Sequence, residues 1–269
     1  MRFDTTVLAP DPERRRALIE MLEAALDAVD PGRAVAASLS RDGRTVQVAG
    51  SLIEVPGSVL VLAVGKAAPA MARAACRALE GLRLQGLVVA DHEEEFPPSL
   101  RMHVAGHPLP DDRSLTAGRA ALELVEAAGP GDLVLFLVSG GGSSLLEAPA
   151  GDLTLEDLRS AQRLMLRQGL PIGDMNTIRR HLSAVKGGRL AGAAGPATEM
   201  ATLLVSDVVG PPDVIASGPT LPDPTTFEDA LAVVERHGLG AELPPAVLAH
   251  LESGAAGRRQ ETPKRLRSL

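Results

Sequence analysis

Aromatic side chains are almost missing from this chain: its 269 residues include four Phe and neither Trp nor Tyr. Any interior must then be packed from aliphatic residues, and a stacking platform for bases is not available. With a net charge of −7, the phosphate-tracking surface of a nucleic-acid binder is also unexpected; the basic segment Arg258–Arg267 is the best candidate and is short. The single cysteine, Cys76, excludes an intrachain disulfide and points to a reducing compartment. It lies in an Ala-rich segment with no His motif beside it, so a small buried helix residue is expected rather than a nucleophile. No stretch approaches the roughly 20 apolar residues that span a bilayer, and the N-terminal MRFDTTVLAPDPERRR has no uninterrupted apolar core. The expectation is a cytoplasmic protein with no membrane and no nucleic-acid partner. Two nucleotide fingerprints are absent as well, since neither G-x-G-x-x-G after a strand nor GxxxxGK[ST] occurs.

What the chain does have is a series of buried strands that end in small or charged residues. The most informative is LVLFLVSGGGSSLL, Leu133–Leu146: seven residues that read as a central strand, then the loop Ser139-Gly140-Gly141-Gly142-Ser143-Ser144. Glycines keep bulky Cβ atoms away from a ligand, and backbone N–H groups and hydroxyls can face it, which suits phosphate or carboxylate. Ser143 as a hydrolase nucleophile fails the G-x-S-x-G pattern, because Ser144 and Leu145 follow it.

Val59–Val64 is a second buried strand, followed by Gly65-Lys66 and an Ala-rich helix from Ala67 to about Leu79. A lysine held there can meet a transferring phosphate or a carboxylate. Gly86–Ala90 and Met102–Ala105 read as further strands, the latter leading into Gly106-His107-Pro108, and Ser114 to about Ala128 as a helix. His103 and His107 are poorly spaced for zinc, and Glu93–Glu95 reads as a solvated loop. Ala201–Val205 is a strand ending in Ser206-Asp207, where the carboxylate could hold Mg²⁺ or accept a hydroxyl proton. Arg179-Arg180 and Lys186-Gly187-Gly188 add cations.

The remaining punctuation predicts an N-terminal amphipathic helix stopped at Pro31-Gly32, a hairpin about Asp42-Gly43, and a helix capped by Thr154. Asn176-Thr177 is expected to cap a helix over 178–185, with further helices over 227–237 and 244–252. Strands separated by helices argue for one α/β domain, Rossmann-like and three-layered, with a mostly parallel sheet and helices on both faces. It is expected over residues 1–253, with 254–269 a disordered tail.

Five segments carry a family resemblance: AVGKAAPAMA (63–72), GHPLPD (106–111), VSGGGSSLLEAP (138–149), NTIRRHLSAVKGGRLA (176–191) and SDVVGPPDVIASGPTLPDPTTF (206–227). Together they resemble the glycerate 2-kinase family, historically also labelled hydroxypyruvate reductase. The resemblance implies transfer of the ATP γ-phosphate, with Mg²⁺, to the 2-hydroxyl of D-glycerate. On that view Lys66 stabilises charge in transfer, and the Ser139–Ser144 loop binds phosphate or the glycerate carboxylate with Asn176, Arg180 and Lys186. Asp207 is then base or metal ligand. Members of the family continue into a second, C-terminal domain that is missing here, which implies either a truncated or frameshifted product or a separate complementing half, or a homodimer, and little activity from the isolated chain. A reductase using NAD(P)H and a non-catalytic anion-binding half-domain are the alternatives.

Overall fold

A computed structural model describes residues 11–195, 198–206 and 210–266. The chain opens with α1 (Pro12–Ala28) and α2 (Pro31–Ser38), then a small antiparallel meander of β1 (Leu39–Asp42), β2 (Thr45–Val48) and β3 (Ser51–Glu54). The main sheet follows, formed by β4 (Val59–Val64), β5 (Leu84–Ala90), β6 (Leu100–Val104), β7 (Leu133–Ser139) and β8 (Glu199–Val205). Between these strands run α3 (Ala68–Ala78), α4 (Asp112–Glu126), a short α5 (Gly142–Leu145), α6 (Leu155–Arg167), α7 (Ile172–Leu182) and α8 (Arg189–Gly192). A 3₁₀ segment, Pro212–Ser217, leads to α9 (Phe227–Arg236) and α10 (Pro245–Ala255).

The main sheet has the order β6-β5-β4-β7-β8, and every pairing in it is parallel. Every residue of β4 and β7 is buried, which is why both read as unbroken apolar runs instead of alternating ones. Val59, Val61 and Ala63 of β4 pack with α2, α3 and the meander, while Leu60, Leu62 and Val64 pack with α4 and α8. This is the expected three-layer α/β arrangement. Strand order reverses between β4 and β7: the chain moves outward from β4 through β5 to β6, then crosses back to β7. Ligands of such folds bind where the carboxyl ends of the two diverging strands leave a crevice.

Four expectations need correction. Pro31-Gly32 does not simply end a helix, because Asp30 caps and Pro31 begins α2. The helix expected from Asn176 starts earlier, at Ile172, so Asn176 is an interior, buried helix residue. α6, α7, α9 and α10 do not cover a sheet face; they enclose an aliphatic cluster of their own around Phe227. The expected disordered tail is, to Leu266, packed against the fold: Thr262 is buried and bonds Asp223, the Pro263 carbonyl accepts from the Asp223 N–H, Glu261 meets His181, and Leu266 packs on the cluster beneath α4 and α8. Those residues supply partners to buried polar groups, and a solvated tail would leave them unsatisfied. The hairpin about Asp42-Gly43 and the Thr154 cap are as expected, the latter a reciprocal capping box with Asp157. The apolar stripe of α1 is left open, with Leu18, Leu22 and Leu26 each 37–42 % exposed.

Asp111 matters for the site because it secures the loop from β6 to α4. Its carboxylate accepts from the N–H groups of Gly106, Arg113 and Ser114, so one side chain holds both ends of the segment carrying His107. Partial burial raises its pKa, but bonds from Arg113, Ser114 and Gly106 outweigh that and hold it below the ordinary carboxylate value. Asp111→Ala is expected to cost about 1 kcal/mol in urea unfolding at neutral pH. Because the native pKa is depressed, the carboxylate's contribution is complete above the unfolded value and fades as pH falls through the native one, so the gap between variant and parent should narrow in acid.

Candidate active site at the strand switch

The two strands at the reversal are tied together at their carboxyl ends. Backbone N–H of Lys66 donates to the Gly140 carbonyl at 2.9 Å, and the Ala67 N–H donates to Ser139 Oγ at 3.1 Å. The chain leaves β4 at Gly65 with φ of +121°, and a Cβ there would lie 2.2 Å from Ser139 Oγ. Only glycine allows this turn together with this closeness of the two loops. Gly141 makes the matching turn after β7, with φ of +89°, and caps α5.

Within the glycine loop the six residues divide. Ser139 is buried and its hydroxyl is committed to the fold, accepting from Ala67 and donating to the Val64 carbonyl. Ser144 is also buried and donates to the Gly141 carbonyl. Gly142 begins α5 and is closed over by Ala216, whose Cβ would be 2.7 Å from an added one. Gly140, Gly141 and Ser143 instead line a cavity of about 230 Å³, together with Lys66, Ser206 and the Pro211–Ala216 segment. Thus the loop is half fastener and half lining. A separate hollow of about 380 Å³ shares none of these lining residues and lies among Leu122 and Glu126 of α4, Arg189 of α8, and Glu261.

Lys66 is exposed at the mouth of the cavity, with no ion pair among the described residues. Beside it stands His107, which the sequence reading had only discounted as a zinc ligand. An added Cβ on Gly141 would touch Lys66 Cγ at 3.3 Å and His107 Cδ2 at 3.4 Å, so the two side chains flank the same glycine. Partial desolvation, then the Lys66 charge, push the His107 imidazole below its ordinary pKa, with Asp91 opposing. Near neutral pH this places an uncharged ring, able to accept or donate a proton, next to a cation. The signal was in the sequence, as a His at the exit of a predicted strand.

Asn176 reaches the site indirectly. Its Oδ1 accepts from Ser217 Oγ at 2.9 Å, and Ser217 lies 2.8 Å from Ser143 Oγ. With the Ser217 proton committed to Asn176, Ser143 donates to Ser217 and presents lone pairs to the cavity. Asn176 therefore sets the direction of a hydroxyl at the cavity wall.

Two predicted ligands are set apart from the cavity. Arg180 is 5 % exposed and is shared between Asp223 at 3.1 Å and Asp213 at 2.6 Å, clamping α7 to the 3₁₀ segment and to the segment before α9. Lys186 is buried in an ion pair with Glu147, whose other oxygen takes the Ser183 hydroxyl at 2.6 Å. Burial drags the Lys186 pKa down, with Glu147 opposing. Neither side chain is free for a substrate; both hold the shell around the glycine loop. Asp207 lies outside the described residues. Among the described residues no group of three His, Cys, Asp or Glu is disposed to hold a metal ion. No helix among them is long and apolar enough to cross a membrane.

A doubly wound α/β domain places its ligand crevice at the switch point, and here a lysine and an open glycine turn line that crevice. The family described as "Domain of unknown function (DUF4147)" matches residues 17–252, and the chain belongs to it. A putative hydroxypyruvate reductase of Agrobacterium vitis is 41 % identical over 94 % of this chain and 54 % of its own length. A D-glycerate 2-kinase of Thermotoga maritima is 40 % identical over 96 % of this chain and 58 % of its own. Among solved structures, the PH0495 protein of Pyrococcus horikoshii superposes with a TM-score of 0.86 at 38 % identity, covering 96 % of this chain and 58 % of that one. The resemblance to glycerate kinases is thereby confirmed, and the chain spans about half the length of the relatives it matches.

Removing one partner of the Lys186–Glu147 pair should strand a charge in the interior. Lys186→Met is expected to lose about 3–5 kcal/mol in chemical denaturation, and Lys186→Met combined with Glu147→Gln to recover most of it.

Proposed function

We propose that this chain carries the hydroxy-acid site of an ATP-dependent D-glycerate 2-kinase. The observation that supports this most directly is Lys66, without an ion pair among the described residues, beside the open Gly140-Gly141 turn at the crevice between β4 and β7. The names of relatives point the same way. In phosphoryl transfer the protein mainly positions groups and neutralises charge that develops on the transferring phosphoryl oxygens. Lys66 is suited to that neutralisation, and the free N–H groups of the glycine turn to holding an anion. Asp207, by its place after β8 in the sequence, is our candidate for accepting the hydroxyl proton. The described residues form no cage for Mg²⁺, and no step here depends on one.

The reductase reading rests on the name borne by some relatives. Against it, the turn after β4 reads Gly65-Lys66-Ala67, with a lysine where a dinucleotide's pyrophosphate needs the glycine-rich approach.

The test measures 2-phosphoglycerate formed from D-glycerate, ATP and Mg²⁺, with the chain alone and with a separately produced C-terminal half of a relative. Turnover is expected mainly with the second half present. Lys66→Ala should lower kcat by on the order of 100-fold or more. Undiminished turnover in that variant removes Lys66 from the mechanism, and NADH oxidation with hydroxypyruvate would favour the reductase.

A further inference from the structure

One chain of hydrogen bonds fixes which group donates and which accepts at the cavity wall. Asn176 is buried in α7, and its Nδ2 donates to the Val214 carbonyl at 3.5 Å. A carbonyl only accepts, so this contact leaves Oδ1 facing Ser217 at 2.9 Å. The buried Ser217 hydroxyl therefore spends its single proton on Asn176. Ser143 Oγ lies 2.8 Å from Ser217 Oγ, a separation that needs one proton between the oxygens, and that proton belongs to Ser143. Among the described residues this is the one hydrogen bond of Ser143 Oγ. Its proton is used inside the wall, and a lone pair is what remains for a ligand.

The backbone is strained to hold this arrangement. Ala216 and Ser217 both have left-handed φ, +52° and +60°, which is costly for residues other than glycine. The Ser217 carbonyl is fixed by the Gly187 N–H at 3.1 Å, and Ala216 closes over Gly142 at the start of α5. Strained segments of this kind gather at ligand sites, and Ala216 and Ser143 both line the cavity beside Lys66. That cavity has two unlike walls. Lys66 and the Gly140-Gly141 turn offer a charge and N–H donors, whereas Ser143 offers an acceptor, which repels an oxyanion and suits a hydroxyl.

We propose that Ser143 recognises the non-reacting 3-hydroxyl of the hydroxy acid by accepting its hydrogen bond, with Ser217 and Asn176 as positioning residues that set the polarity. This rests on the reading of the cavity as a D-glycerate site. The 2-hydroxyl gives up its proton during transfer, so the 3-hydroxyl is the one that can donate throughout. Ser143 thereby selects a dihydroxy acid over a monohydroxy acid of the same charge.

The test is calorimetry on the full 269-residue chain with ligands of equal charge. These are D-glycerate, D-lactate, which lacks the 3-hydroxyl, and the 3-fluoro analogue, which keeps its size without the proton. The parent should bind D-glycerate on the order of 10-fold or more tighter than either, because both others leave the Ser143 lone pair unmet. Ser143→Ala should weaken D-glycerate about 3- to 10-fold and leave D-lactate unchanged, narrowing the gap between them. Ser217→Gly suits the left-handed φ and frees the Ser143 proton to turn toward the cavity. It should relax the rejection of the fluoro analogue, whereas a structural loss would weaken all three ligands alike. Equal affinity of the parent for D-glycerate and the fluoro analogue, or an unchanged preference in Ser143→Ala, overturns the proposal and leaves the glycerate site standing. Unchanged rejection in Ser217→Gly overturns the positioning role. A fall in ATP affinity in Ser143→Ala, with D-glycerate unaffected, gives the donor to the nucleotide and also overturns the proposal. If the parent chain binds no D-glycerate, the proposal and the functional reading beneath it fall together.

Discussion

Everything at the candidate site depends on how closely the loops after β4 and β7 approach. The two strands are hydrogen-bonded neighbours, yet the chain leaves them in different local geometries, through Gly65 and through Gly140-Gly141. A backbone bond from Lys66 to Gly140 and the Ser139 hydroxyl lock that approach. No side chain beyond hydrogen fits at position 65. Once the two turns are joined, Lys66 is carried to the rim and the backbone of the glycine turn is left facing outward. Neither strand alone could produce a site.

Around this joint lies a shell of charges that the fold has already spent. Lys186 with Glu147, and Arg180 with Asp213 and Asp223, are buried and bridge segments far apart in sequence. Interior pairs of this sort add little net stability, because desolvation offsets attraction, but breaking one is severe. Their value here is geometric: they hold the segment after α5, the face of α7 and the 3₁₀ turn in one arrangement.

The layers and the main strands were legible because strands buried on both faces leave continuous apolar runs, and glycine or lysine marks their ends. Lys66 and the glycine turn could be read for that reason. What could not be read was how polar side chains divide their partners. Nothing in RR at 179–180 says which guanidinium finds aspartates, since Asp213 and Asp223 lie 33 and 43 residues away from Arg180. Ser139 and Ser143 look alike in SGGGSS, but one faces the strand beside it and the other the cavity. The helical cluster about Phe227 was also hidden, because an amphipathic stripe announces that a face is covered and not by what. In the polar stretch after Gly254, sequence composition suggested disorder, whereas buried acceptors and donors elsewhere required its side chains.

That closing stretch bears on the order of events in folding. His181 finds Glu261 eighty residues further along, and Asp223 finds Thr262 thirty-nine residues on. All five strands of the parallel sheet have been synthesised by Val205, whereas the polar partners of His181 and Asp223 in the closing stretch come only at Glu261 and Thr262. The helix that carries Asn176 is therefore completed by contacts made with the last part of the described chain.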